Sequence, residues 1–286
     1  MASRGALDWL GRVFLGSKEP QTLVRPAGVA VDGRGTIVVS DPGQSALFIF
    51  ETSLGKVRRI EAIGTHRLVS PMGVALDRQG RLLVTDSSLG LLARIDPGGE
   101  GEAEVLESFE RPTGVAVHPR TREIFVVDTL AHQVFVLGDD LNLIRSFGSR
   151  GSEPGQLNFP TYLAFDPDGD PWVVDAMNGR IQRFDLEGAF LASVGRPGDS
   201  AGTFAHPKGI AFDEEGHLFV ADALFGNVQI FERDGTLLLY FAETGSGPAQ
   251  LDLPSGIAVD GEGRIFIADS ANQRVQILRY LEIHDP

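Results

Sequence analysis

The chain has 286 residues, 42% of them hydrophobic and 22% charged; with a mean hydropathy of zero it reads as a globular polypeptide with a large core, which excludes a disordered one. A formal net charge of −14 opposes phosphate backbones and anionic lipid at long range, and the absence of cysteine excludes disulfides and thiolate metal sites. There is no apolar run of the ~18 residues that a membrane helix requires.

The first twenty residues, MASRGALDWLGRVFLGSKEP, lack the apolar stretch and cleavage site of a signal peptide. From Pro26 onward the chain repeats itself. PAGVAVDGRGTIVVSD begins at Pro26, PMGVALDRQGRLLVTD at Pro71 and PTGVAVHPRTREIFVVD at Pro112. PTYLAFDPDGDPWVVD follows at Pro160, PKGIAFDEEGHLFVAD at Pro207 and PSGIAVDGEGRIFIAD at Pro254. The prolines are 45, 41, 48, 47 and 47 residues apart, the period of four-stranded blades.

Within a repeat the turn residues divide the β-branched runs. In the first, residues 28–31 form a strand, Asp32, Gly33 and Gly35 a turn, and residues 37–39 a second strand. In the fourth, a third strand covers residues 180–185, Glu187 and Gly188 turn the chain, and an outer strand covers 189–195. Glycine-rich connectors such as GSRGSEPGQLNFP then lead to the next proline. No 3.6-residue period is sustained anywhere, so helix is negligible.

The sixth repeat ends near Tyr280 with only three strands, while residues 8–16, DWLGRVFLG, resemble the turn and outer strand at 185–195. Residues 1–16 are therefore expected to supply the outer strand of blade six and close the ring, removing a sheet edge. The expected fold is all-β: a single six-bladed propeller over residues 1–286, its blades four-stranded and antiparallel.

The pattern P-x-G-[VI]-A-[VF]-D, its glycine turn, the hydrophobic-x-Asp ending and the later NGRIQRF at Asn178 and NQRVQIL at Asn272 resemble the NHL repeat family. The resemblance implies a six-bladed β-propeller and leaves function to the loops. Animal relatives of the repeat bind RNA through a basic top face, from which this acidic chain with scattered arginines departs, so nucleic acid is not the expected partner. Bacterial members are often exported, which implies an extracytoplasmic location.

The ends of the second strands and the connectors before each proline share one face, called the top. Six aspartates end the second strands: Asp41, Asp86, Asp128, Asp175, Asp222 and Asp269. They read either as a carboxylate ring for Ca²⁺ or, more simply, as caps of their own turns. Where five repeats place glycine, the fourth has Tyr162, expected at the channel mouth. Leu89, Leu130, Met177, Leu224 and Phe225 fall on the top loops and are expected to form an apolar patch with it. A short connector before Pro112 leaves a notch beside Leu89 and Leu130.

His66, His132 and His206 fall on top loops, and the resemblance implies a zinc site of this kind for the amidating-lyase branch. No nucleophile elbow, P-loop or His-Glu-x-x-His is present. The expected function is therefore non-enzymatic recognition of a protein, peptide or envelope component through the top face, without a cofactor. The alternative is a zinc- or calcium-dependent lyase or hydrolase working in the channel mouth.

Overall fold

The turn between the first and second strands of each repeat is built by a side-chain acceptor. Asp32 Oδ1 takes the backbone N–H groups of Arg34 and Thr36 at 2.9 and 2.7 Å, and Asp77, Asp166, Asp213 and Asp260 accept in the same place. In the third repeat histidine replaces the aspartate: His118 Nδ1 accepts from the Thr121 N–H at 2.9 Å. The carboxylate or imidazole satisfies donors that a tight turn leaves free, so each apolar run reverses where the sequence places it.

In the computed structural model, which describes residues 22–96 and 102–279, these meanders form five four-stranded antiparallel sheets and one three-stranded sheet. Blade one comprises strands Val29–Val31, Thr36–Asp41, Ala46–Glu51 and Lys56–Ile60. The inner strands of blades two to six are Pro71–Leu76, Pro112–Val117, Leu163–Phe165, Pro207–Phe212 and Pro254–Val259. Blade six ends with Arg274–Arg279 as its third strand. The strand expected from residues 1–16 lies outside the described residues.

The second strands are buried throughout, and six apolar clusters fill the six joints between neighbouring blades. The joint between blades six and one is packed like the others: Phe266 and Ala258 of blade six meet Val29, Val39 and Phe48 of blade one. The Gly256 N–H also donates to Ala27 O at 2.7 Å and Ser270 Oγ to Pro26 O at 2.6 Å. These contacts complete the ring through its inner strands.

Hydroxyls reinforce several joints in one direction. Ser40 Oγ donates to Met72 O at 2.5 Å, Thr85 Oγ1 to Thr113 O at 2.5 Å and Thr113 Oγ1 to Thr161 O at 2.8 Å, each from one blade to the next. The motif glycine makes this approach possible. A Cβ on Gly114 would sit 2.7 Å from Thr161 O and one on Gly256 2.6 Å from Ala27 O, and Gly28, Gly73 and Gly209 face the following blade's carbonyl in the same way.

The glycine-rich connectors fold down as compact loops. Parallel bridges Arg150–Leu157, Pro197–Phe204 and Thr244–Leu251 close three of them, and Leu157, Phe204 and Leu251 insert fully into the core. Their main chain is held by a glutamine of the third strand. Gln182 Oε1 accepts from the Gly155 N–H at 2.9 Å while its Nε2 donates to Gln156 O at 2.7 Å, and Gln229 treats Gly202 and Thr203 alike at 2.8 Å each.

Candidate functional site: the top face and channel mouth

The six aspartates at the ends of the second strands lie under the top face, all fully buried. They do more than cap their own turns. Asp86 takes the N–H groups of Ser88 and Leu89 just after it and those of Val69 and Ser70 in the preceding connector. Asp128 binds Glu110, Arg111, Leu130 and Ala131, and Asp222 binds Ala205, His206, Leu224 and Phe225 in the same pattern. Each carboxylate thus pins the strand entering the ring to the loop leaving it. With their oxygens turned to main-chain donors, these residues do not form an oxygen cage for calcium.

In blades four and six side chains replace part of the main chain. Asp175 receives Asn178 Nδ2, Arg180 Nε and Gln182 Nε2 at 2.9, 2.8 and 3.0 Å. Asp269 receives Asn272, Arg274 and Gln276 likewise. The arginines extend to the connector carbonyls of Glu153 and Gln156, and of Ser246, Gly247 and Gln250. The Asn-x-Arg-x-Gln pattern legible in the sequence is therefore a connector clamp.

Tyr162 crosses the ring. Its hydroxyl donates to Ala27 O of blade one at 3.0 Å and lies 3.4 Å from Ser255 Oγ of blade six. Burial pushes the phenol up to about 12, so it remains a donor at ordinary pH. Five glycines bring backbone toward the axis and the one tyrosine spans what is left. Tyr162, just ahead of the inner strand of blade four, is thus part of the channel.

The expected apolar loop residues divide. Leu130, Met177 and Leu224 are exposed at 44%, 60% and 63%. Leu89 is half-buried and packs on the cluster between blades one and two, and Phe225 is half-buried as well. The notch expected beside Leu89 is narrowed by Phe109, which donates its N–H to Gly90 O and packs edge-on against Phe135 with centroids 5.6 Å apart. Val24, Val69 and Leu253, just ahead of the motif prolines, are exposed on the same face and complete the rim. They escaped a search confined to the loops after the aspartates.

The three top-loop histidines do not converge. His66 lies in a small hairpin and pairs with Glu107. His132 is buried, accepts the Phe159 N–H on Nδ1 at 3.1 Å and packs on that ring. His206 sits beside Asp222 and Lys208, its pKa lowered by burial and then by the lysine. This set does not fit a zinc ion. Among the described residues, ligand atoms of Asp213, Glu215 and His217 do come within 4.8 Å of one another. They line a cavity of about 720 Å³ at the bottom of blades five and six; His217 Nδ1 is already paired with Asp213 at 2.8 Å.

A residue the motif search passed over stands at the mouth. Lys208 occupies the second position of its repeat, where the others have Ala27, Met72, Thr113, Thr161 and Ser255. It is half-buried, and among the described residues its ammonium makes no hydrogen bond or ion pair. Burial, and then the charge of Arg111, push its pKa down. Comparing the repeats column by column gives the signal, since the chain has only three lysines.

The NHL repeat family matches residues 251–278, the sixth repeat. NHL repeat-containing protein 3 of Homo sapiens is 31% identical over 106 residues, 35% of this chain and 30% of that protein, so the match spans less than a third of the relative's length. Among solved structures, virginiamycin B lyase from Staphylococcus aureus aligns with a TM-score of 0.63 at 16% identity, covering 91% of this chain and 85% of that one. An auxiliary nutrient binding protein from Bacteroides thetaiotaomicron aligns at 0.72 with 15% identity, covering 90% and 69%. At such identities the likeness is one of fold, and that fold serves both a lyase and a binding protein. The sixth repeat thus matches the NHL repeat, and the architecture of the chain is that of a six-bladed β-propeller.

Proposed function

We propose that the chain is a binding propeller whose top face docks a protein or peptide through the apolar rim of Val24, Val69, Leu130, Met177, Leu224 and Leu253. One observation carries this reading: half of the twelve exposed large hydrophobic side chains among the described residues stand on that rim, four of them tied through their own N–H groups to the buried aspartates. Exposed apolar groups gathered on one face, on loops fixed by a rigid scaffold, are the usual anchors of a protein interface. The tyrosine across the channel favours surface docking over chemistry deep in the ring, and the dispersed histidines and occupied aspartates supply no catalytic set.

The test is photo-crosslinking in the source cell with a reactive amino acid placed at Leu224 or, on the opposite face, at Leu54. A discrete product from position 224, absent from position 54 and lost on Leu130→Ser with Met177→Ser, supports docking. Identical products from both positions, or none from 224, overturn it.

A further inference from the structure

We infer that the channel mouth receives a carboxylate of the docked peptide, with the Lys208 ammonium as its counter-ion, Arg111 as a second cation and Tyr162 as the floor. This deepens the docking reading and rests on it. The observation behind it is one uncompensated, partly buried charge. Half-buried Lys208 has no carboxylate partner among the described residues, and the exposed Arg111, whose charge it feels, does not neutralise it. Elsewhere in the molecule the enclosed arginines are paired: Arg94 with Glu104 and Asp139, Arg145 with Glu123, Arg180 with Asp175, Arg183 with Asp170.

A partly desolvated, unpaired ammonium that also feels a nearby positive charge destabilises the free protein, and such local conflicts are found where a ligand relieves them. The relief required is a single negative charge. The chain as a whole, at −14, repels polyanions, so an extended phosphate backbone meets net opposition beyond the mouth. A peptide meets none, since it brings one carboxylate for the centre and apolar side chains for Leu130, Met177 and Leu224 around it. Tyr162, bonded across the axis, occupies the motif position after the lysine's, and its neighbour Thr161 donates its hydroxyl to Lys208 O at 3.4 Å.

The experiment uses two pools of random heptapeptides, one with free carboxyl ends and one with amidated ends, passed over the immobilised protein and sequenced. The wild type is expected to retain peptides from the free-acid pool. Equal retention from both pools of peptides with an internal Asp or Glu assigns the same chemistry to a side chain. In either case Lys208→Met weakens retention about ten- to hundredfold and Lys208→Arg restores it. Lys208→Met also melts at or above the wild type, because it removes an unpaired charge. A drop of several degrees that Lys208→Arg repairs makes the lysine structural and overturns the inference. If retention is indifferent to Lys208 but lost in Met177→Ser with Leu224→Ser, the carboxylate site falls and docking stands. If the wild type retains neither pool, both fall.

Discussion

The hydroxyl of Tyr162 in blade four donates to the carbonyl oxygen of Ala27 in blade one, 3.0 Å away across the channel and 135 residues apart in sequence. The same oxygen also accepts the Gly256 N–H at 2.7 Å. Tyr162→Phe therefore leaves Ala27 O with a partner and costs only about 0.5–1 kcal/mol. Tyr162→Ala also removes the ring that fills the axis and costs about 3 kcal/mol. Denaturant unfolding of the two variants checks the difference, and equal losses would mean that the ring contributes no packing.

Asp86→Ala orphans the N–H groups of Val69, Ser70, Ser88 and Leu89 in a fully buried site. Several unmet buried donors cost about 3 kcal/mol or more together. The variant is expected to unfold at markedly lower denaturant than an exposed control such as Glu187→Ala. A loss within ~0.5 kcal/mol would show that the connector does not depend on the carboxylate.

Arg274 joins Asp269 to the carbonyls of Ser246, Gly247 and Gln250. Lysine carries the charge but not the planar fork, so Arg274→Lys keeps one of these bonds at most. The expected result is a loss of about 1 kcal/mol and faster amide exchange at Gly245 and Leu251, whose own hydrogen bonds close that loop. Unchanged exchange there would rule out the clamp.

His118 is buried with Nδ1 accepting from Thr121, and burial, then the Arg120 charge, lower its pKa from 6.5. The unfolded chain takes up the proton first. Stability is thus complete above pH ~6.5 and declines as pH falls from there toward the lowered native value. His118→Asp restores the acceptor found in the other repeats and removes this step. Melting temperatures at pH 7.5 and 5.5 should differ less in the variant, and an equal difference would place the acid sensitivity elsewhere.

Blade count, strand order and turn positions were legible because each rests on local chemistry repeated six times. Asp-Gly turns, β-branched runs and motif prolines leave few alternatives. The aspartates were legible as acceptors, but their connector donors lie 16 to 18 residues upstream, a pairing visible only once the connector folds back. The histidines misled for a related reason. Shared membership of the top loops does not bring His66, His132 and His206 together, since each is used locally by Glu107, Phe159 or Asp222. Lys208 and the valines ahead of the prolines were hidden in plain motif columns. Their importance comes from what they lack, a partner or a cover, and a sequence does not display a missing contact.

The hydroxyl bonds between blades all run forward, from Ser40 to Met72, Thr85 to Thr113 and Thr113 to Thr161. Such joints are indifferent to how many blades follow, so nothing in them prevents a ring of five or seven. Tyr162 is different, for blade four stands diametrically opposite blade one only when the total is six. Duplicating or deleting a blade would preserve every joint yet leave this side chain too short or too long for Ala27. The phenol acts as a ruler laid across the molecule, setting a number that the seams alone leave open.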